Sequence, residues 1–311
     1  MLLGMVVAVF LLALCQTPPP QPASGPGGSQ YAHASVSESV HRGGDQRYWI
    51  FEPAQPTPPS APVVLYLHGY GSSNPDPYRP LLEHLARKGF AVVYPRYGSL
   101  WNPWVYEDTA LDSWQDAISV LQGAGHVTPQ LDKLAVAGHS LGGILSLRLA
   151  HRLGPGSTPF QSIVIHDGAG FQTPAYPFMP LDDLSGIPAQ TGLVLVVADT
   201  SKQDANATEI VRLAWTRTPQ IPRVQKNGIL LRSDFYGQPD LISDHLGVQT
   251  WPTDAIDFLG YWKFTEAALN HAFWNQDGSF VFGDGSDLRY MGLWSDGQPV
   301  QEAVPASDFG F

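Results

Sequence analysis

The stretch LAVAGHSLGG, residues 134–143, decides the fold class of this chain. Its first four residues are apolar, which is typical of a buried strand. Residues 141–153 have the period of a helix, and Gly154 and Pro155 end it. A G-x-S-x-G pattern between a strand and a helix predicts a sharp turn that presents a serine hydroxyl. Ser140 is therefore the candidate nucleophile.

The glycines of this stretch have a physical purpose. A side chain at Gly138 or Gly142 would collide with the neighbouring chain where the turn tightens. The serine would lie at a helix N-terminus, where backbone N–H groups favour a developing negative charge. We therefore expect the N–H of Leu141 to be one oxyanion donor. The second expected donor is the N–H of Tyr70, in the loop after the apolar run at residues 63–67.

Apolar runs alternate with helical patterns along the rest of the chain. This alternation predicts an α/β fold with a mostly parallel central sheet and helices on both faces. The predicted strands occupy residues 48–51, 63–67, 91–94, 134–137, 162–165, 193–197 and 229–231. The predicted helices occupy residues 80–88, 109–121, 141–153, 208–215 and 254–273.

A serine needs a base, and in this topology the acid and the base follow the serine in the order Ser, Asp or Glu, His. Two histidines, His245 and His271, follow the fifth central strand. His245 lies in the loop after the last predicted strand, from which it can return to the serine. His271 lies inside a helical pattern, so we interpret it as structural and predict His245 as the base.

Two carboxylates are candidates for the acid that orients the base. Asp204 precedes a helical pattern, several residues beyond the strand at 193–197, and is the preferred candidate. Asp199 lies almost at the strand end and is the alternative. Asp244 is adjacent to His245, which is too close in sequence to orient its ring.

Together these residues are similar to the α/β-hydrolase superfamily, in particular to bacterial esterases, lipases and dienelactone hydrolases and to the cutinase and polyester-hydrolase group. The motifs that carry the resemblance are His68-Gly69-Tyr70, Gly138-His139-Ser140-Leu141-Gly142-Gly143 and His245. The resemblance implies that Ser140 is the nucleophile, His245 the base and Asp204 the orienting acid. It also implies that Tyr70 and Leu141 form the oxyanion hole.

The resemblance covers residues 48–273 and is specific for the fold, not for a substrate. It implies hydrolysis of carboxylic esters through an acyl-enzyme, with a small or polymeric ester as substrate and no cofactor. The alternatives are a polyester or cutin hydrolase, a lipase, and a catalytically silent α/β-hydrolase that serves as a binding module.

Aromatic residues crowd the stretch 94–106, after a predicted central strand, where α/β proteins bind ligands. They predict an apolar or aromatic acyl group, and the alternative is that the rings pack the loop onto the body. The predicted strand at residues 162–165 is followed by His166 and Asp167. These two residues either line the same cleft or form a structural hydrogen-bonded pair. The candidate substrate-binding residues are Tyr97, Trp101, Trp104, His139 and His166.

Composition excludes several classes of function. The chain has 28 acidic and 17 basic residues and a formal net charge of −11, so nucleic acid is not an expected partner. Its one cysteine, Cys15, excludes a disulfide scaffold, a Cys-ligated zinc and a catalytic thiol in the folded body. No His/Asp cluster has metal-ligand spacing, so we expect no metal.

The N-terminal residues predict export. Residues 1–15 are almost wholly apolar, as in a signal segment, and the residues before Cys15 resemble a lipoprotein cleavage site. Membrane attachment is expected only if Cys15 carries a lipid. The alternatives are a misassigned start codon and a disordered tail. Residues 16–30 are rich in proline and glycine and predict a linker, and residues 31–311 predict a single α/β-hydrolase domain.

Overall fold

The computed structural model describes residues 16–98, 102–156, 158–169, 179–200, 205–249 and 251–309. The predicted signal segment with Cys15, the aromatic Trp101 and the preferred acid Asp204 lie outside these residues.

A single sheet forms the centre of the described part. Its nine strands are β1 Ser35–His41, β2 Tyr48–Ala54, β3 Ser60–Leu67, β4 Ala91–Pro95, β5 Thr128–His139, β6 Ser162–His166, β7 Gly192–Ala198, β8 Lys226–Leu231 and β9 Val304–Pro305. Their order is β1-β2-β4-β3-β5-β6-β7-β8-β9. Strands β3 to β8 are parallel, and β1, β2 and β9 pair antiparallel with their neighbours. The structure confirms the predicted mostly parallel sheet.

Helices cover both faces of this sheet. They are α1 Arg79–Lys88, α2 Tyr106–Leu121, α3 Leu141–Leu153, α4 Ala205–Thr216, a π-helix at Asp257–Tyr261 that continues as α5 Trp262–Trp274, α6 Ser286–Arg289 and α7 Ala306–Phe309. Helices α2, α3 and α4 pack on one face, and α1 and α5 pack on the other.

The two layers of the core follow from alternation along the strands. In β3, Val63 and Leu65 face the layer of α2 and α3, whereas Val64 and Tyr66 face the layer of α1 and α5. All four side chains are buried. A parallel strand covered on both faces must be apolar at successive positions, which is why this run is continuous and not alternating in sequence.

The edges of the sheet were harder to predict than its centre. The sequence analysis missed β1, whose side chains are mostly exposed or half-buried and therefore include Ser and Glu between its two valines. It also missed the two-residue β9. Both are antiparallel edge strands, so neither needs the apolar run by which the central strands were recognised.

Residues 16–30 are packed on the body, so the prediction of a linker is wrong. The N–H of Gly27 donates to Oε2 of the buried Glu266, at 2.8 Å, and Lys88 of α1 lies 3.1 Å from Oε1. A Cβ at Gly27 would overlap the carbonyl of Phe258, so the backbone approaches the π-helix closely. Composition suggested flexibility here, but glycine also permits such close approach.

Candidate active site

Ser140 lies in the tight turn between β5 and α3, which is the strand–turn–helix arrangement that the sequence predicts. Its backbone is strained, with φ 54° and ψ −120°. Its N–H donates to the carbonyl of His166 in the neighbouring strand, at 3.0 Å. A Cβ at Gly138 would overlap the carbonyl of Gly142, and one at Gly142 would overlap the carbonyl of Leu67. Close packing of backbone against backbone therefore holds the serine in place.

His245 reaches this serine from the loop after β8. Its Nε2 lies 3.0 Å from Oγ of Ser140, so the hydroxyl can donate to the imidazole. The distance is within the reach required of a general base. The other downstream histidine, His271, lies in the last turn of α5 with its ring against Phe282, at 5.0 Å between centroids.

Asp199, the alternative acid, lies directly after β7 and bonds to the start of the His245 loop. One carboxylate oxygen accepts from the N–H of Ser233 at 2.6 Å, and the other accepts from the Ser233 hydroxyl at 2.9 Å. The same hydroxyl accepts from the N–H of Ser243 at 2.9 Å. Asp199 is thus linked to the chain two residues before His245. Asp204 lies outside the described residues.

A third carboxylate, Asp167, lies at the end of β6. It is buried, has φ 47°, and its Oδ1 accepts from the N–H of Ala198 at 3.1 Å. Asp167 therefore links the ends of β6 and β7. From sequence, Asp167 was predicted only to line a cleft or to pair with His166. Its bond to β7 was not predicted, because sequence does not show which neighbouring strand a side chain contacts.

The two predicted oxyanion donors lie on elements that approach each other. Leu141 is the first residue of α3, where backbone N–H groups have no partner within the helix. Tyr70 lies in the loop after β3. Gly142 of α3 packs closely against the backbone carbonyls of Leu67 and His68, which are the last residue of β3 and the first residue of this loop. The roles of Leu141 and Tyr70 as donors remain predictions.

Tyr97 and His68 brace the loops around the site. The Tyr97 ring is buried and stacks on His68 with 4.0 Å between centroids, and its hydroxyl donates to the carbonyl of His68. Burial lowers the pKa of His68 to about 4, and its Nε2 donates to the carbonyl of Arg96 at 2.8 Å. The Tyr97 ring thus packs its loop onto the body, as in the alternative given above, and its contact with substrate stays a prediction.

His166 is also buried. Its Nδ1 accepts from the hydroxyl of Tyr66 at 3.3 Å, and its Nε2 donates to Oγ1 of Thr265 in α5 at 2.8 Å. Burial lowers its pKa to about 3, so the ring is neutral. Both nitrogens are engaged inside the protein, and substrate contact by His166 stays a prediction.

His139, directly before the serine, is likewise enclosed, at 1 % exposure. Its Nδ1 accepts from the Tyr78 hydroxyl at 2.7 Å, and its Nε2 donates to the backbone carbonyl of His245 at 2.7 Å. Burial first, and then the nearby His245, lowers its pKa to about 3. The ring therefore bonds to the residue predicted as the base, and substrate contact by His139 stays a prediction.

Large apolar side chains are exposed on the loops that carry or adjoin the site residues. Tyr70 is 49 % exposed on the loop after β3, and Trp104 is 66 % exposed between β4 and α2. Ile242 and Leu246, which flank His245, and the nearby Trp251, at 81 %, are exposed as well. These loops follow the carboxyl ends of parallel strands and so share one edge of the sheet, where α/β proteins bind ligands.

Metal-binding clusters and membrane-spanning helices are both absent from the described residues. No group of three or more His, Cys, Asp or Glu side chains there could hold a metal ion. In the same residues, none of the helices has the length and apolar character needed to span a bilayer.

Comparisons with known proteins point to hydrolases. Residues 29–173 match a family model described as chlorophyllase. A region of 95 residues is 35 % identical to Chlorophyllase-2 of Arabidopsis thaliana and covers 29 % of each chain. A region of 108 residues is 33 % identical to a thermostable monoacylglycerol lipase of Bacillus sp. (strain H-257), covering 34 % of this chain and 42 % of that protein. The chain thus spans less than half the length of these curated relatives.

Proposed function

We propose that this chain, which has an α/β-hydrolase fold and is similar to a chlorophyllase and a monoacylglycerol lipase, hydrolyses carboxylic esters with Ser140 as nucleophile and His245 as general base. The observation that carries the proposal is the 3.0 Å contact between Nε2 of His245 and Oγ of Ser140. A serine in a strained turn at a helix N-terminus, bonded to an imidazole, has the arrangement needed for nucleophilic catalysis.

The first half-reaction forms the acyl-enzyme. His245 takes the hydroxyl proton while Oγ of Ser140 attacks the ester carbonyl. The N–H groups of Leu141 and Tyr70 donate hydrogen bonds to the developing oxyanion. The carbonyl then re-forms, the C–O bond to the alcohol breaks, and His245 gives its proton to the departing alkoxide.

The second half-reaction releases the acid. Water loses a proton to His245 and attacks the acyl carbon, forming a second oxyanion at the same N–H groups. Collapse of this intermediate breaks the bond to Oγ, and His245 returns the proton to Ser140. The net reaction consumes one ester and one water and yields one acid and one alcohol.

We assign the orienting acid to Asp204, with Asp199 as the alternative. The hydrogen bonds of Asp199 support this order, because both of its oxygens accept from Ser233 and hold the loop that leads to His245. In this assignment Asp199 positions the loop, and Asp204 stabilises the imidazolium that forms when His245 is protonated.

The substrate class that we propose is an apolar ester. Support comes from the exposed Tyr70, Trp104, Leu246 and Trp251 on the loops at the carboxyl edge of the sheet. One relative is named a monoacylglycerol lipase, whose name denotes an acyl ester, and the other is named a chlorophyllase. Lipase and polyester-hydrolase activities are the finer alternatives within this class.

The test combines labelling with an ester panel. We expect a fluorophosphonate to label the protein once, and nitrophenyl esters of rising chain length to be hydrolysed. Ser140→Ala should abolish labelling and lower kcat by about 10⁶-fold, by analogy with other serine triads. The control is Ser119→Ala, which removes an exposed hydroxyl on α2 and should change neither result.

Each outcome has a meaning. Unchanged activity in Ser140→Ala would overturn the nucleophile assignment. An unlabelled, inactive wild type would favour a silent binding module. A maximum at long acyl chains supports the lipase alternative, and release of soluble products from a polyester film supports the polyester alternative.

A further inference from the structure

We propose that Tyr78 and His139 are positioning residues that hold two loops around Ser140 through one connected set of hydrogen bonds. The loops are the one after β8, which carries His245 (the base loop), and the one after β3, which carries Tyr70 (the oxyanion loop). This inference rests on the ester hydrolysis proposed above. It adds a role for two buried residues that the reaction steps do not use.

The set begins at the residue before the nucleophile. Nε2 of His139 donates to the carbonyl of His245 at 2.7 Å. A carbonyl oxygen can only accept, so the neutral ring carries its proton on Nε2 and must accept at Nδ1. The hydroxyl of Tyr78 lies 2.7 Å from Nδ1, closer than Nε2 of Gln249 at 3.3 Å, and is therefore the main donor.

Tyr78 extends the set to two more loops. Its oxygen accepts from the N–H of Gly69 at 2.8 Å, next to Tyr70 in the oxyanion loop. It also accepts from Nε2 of Gln249 at 2.5 Å, four residues after His245. One hydroxyl thus bonds the loop after β3, the end of β5 and the loop after β8.

This arrangement fixes distances on which the reaction depends. His139 bonds to the backbone carbonyl of His245, and the two rings lie 4.9 Å apart between centroids, so His139 contacts the base residue without bonding to Nε2 of its ring. A misplacement of about 1 Å at a catalytic group can cost about 10²-fold in rate. Because His139, Gly69 and Tyr78 are buried and their bonds meet at the Tyr78 hydroxyl, loss of that hydroxyl should release both loops together.

The chain provides a matched control nearby. Tyr66 packs against Tyr78 with 5.1 Å between ring centroids, and its hydroxyl bonds to the buried His166. His166 is the register partner of His139 in the adjacent strand. Tyr66→Phe and Tyr78→Phe therefore remove the same group from the same cluster, and only the second touches the two loops.

The experiment measures kcat, KM and thermal stability of both variants with a soluble nitrophenyl ester. We expect Tyr78→Phe to lower kcat by about 30-fold with KM changed less than about threefold, as for a displaced catalytic group. Tyr66→Phe should change kcat less than about threefold. Equal losses of kcat in the two variants, or a Tyr78→Phe loss confined to KM, would overturn the proposal.

Rescue at His139 keeps the test decisive if Tyr78→Phe is unstable. His139→Leu removes both hydrogen bonds, whereas His139→Gln keeps an amide N–H near the position of Nε2. We expect the glutamine variant to recover at least about tenfold in kcat over the leucine variant, equivalent to one hydrogen bond. Equal kcat values at equal folded fraction would overturn it. Activity that survives Ser140→Ala would instead refute the proposed function.

Discussion

The ends of strands β5 and β6 are built alike and differ in what they do. Each ends in a buried histidine, His139 or His166, whose Nδ1 accepts from a tyrosine hydroxyl. Each histidine is followed by a residue with positive φ, Ser140 at 54° and Asp167 at 47°. The two strands are paired side by side with these histidines in register.

The difference lies in the partners beyond the histidine. His139 donates to the backbone of His245, and Ser140 opens α3 directly. His166 donates to Thr265 inside the α5 layer, away from any catalytic candidate named above. A strained residue at a strand end is therefore not sufficient for a nucleophile. It must also begin a helix and lie within reach of a base.

A third strand end, that of β7, can be added to this comparison. Among the following variants of the compared strand ends, the largest loss of kcat is expected there. Asp204→Asn should lower kcat by about 10⁴-fold, because a triad without its acid loses the correct imidazole tautomer. Asp199→Asn should lower kcat by only about tenfold through loss of its bonds to Ser233. Steady-state kinetics of both variants decide between them. A larger loss in Asp199→Asn would make Asp199 the acid.

The elbow was predictable from sequence, because its demands are local. Gly138 and Gly142 are required by backbone contacts within one turn and its neighbour. His245 was predicted from chain order, because in this topology the histidine follows the serine and the acid and lies in the loop after the last parallel strand. These two arguments needed no knowledge of side-chain packing.

The positions of the buried rings could not be predicted in the same way. His139 and His166 were expected at the substrate because a strand end borders the cleft, but whether a ring turns inward depends on which tyrosine meets it. Tyr78, whose hydroxyl makes three of the proposed hydrogen bonds, lies in a short 3₁₀ helix before α1 and belongs to no recognisable sequence motif. Such partners become evident only when distant segments are brought together.

A second prediction compares the packing of the two turns. Gly142→Ala places a Cβ against the carbonyl of Leu67 and should destabilise the protein by about 2–3 kcal/mol. Gly168→Ala, after β6, meets only side-chain methyl groups of Ile165 and Ile210 and should cost about 1 kcal/mol or less. Denaturant unfolding measures both. Equal costs would contradict the view that the β5 turn is the tighter one.

The smallest expected effect tests what the two histidines share. Burial holds both pKa values near 3, below the 6.5 of an exposed histidine. As pH falls through 6.5 the unfolded chain takes up protons first, so the stability from each neutral ring is present above that pH and is lost as pH falls towards 3.

His139→Gln and His166→Gln should each reduce the loss of stability between pH 7.5 and pH 5.5 by about 1.4 kcal/mol. Unfolding free energies of both variants and the wild type at the two pH values provide the measurement. We expect the two glutamine variants to change this pH dependence equally, because both histidines are buried. The Tyr78 and Tyr66 variants are expected to change kcat unequally, so the two experiments together would separate the effect of burial from that of positioning. If either variant lost as much unfolding free energy between the two pH values as the wild type does, the histidine that it replaces would not be held neutral in the folded protein.

Glu266 has a consequence for how the chain unfolds. Its carboxylate joins Gly27 of the N-terminal stretch to His84 and Lys88 of α1, while the residue itself belongs to α5. Stripping residues 16–30 would open a buried acid and two of its partners to water. The stretch whose composition predicts a linker thus belongs to the same cooperative unit as the helices it contacts. A protease that cuts there should loosen α1 and α5 together.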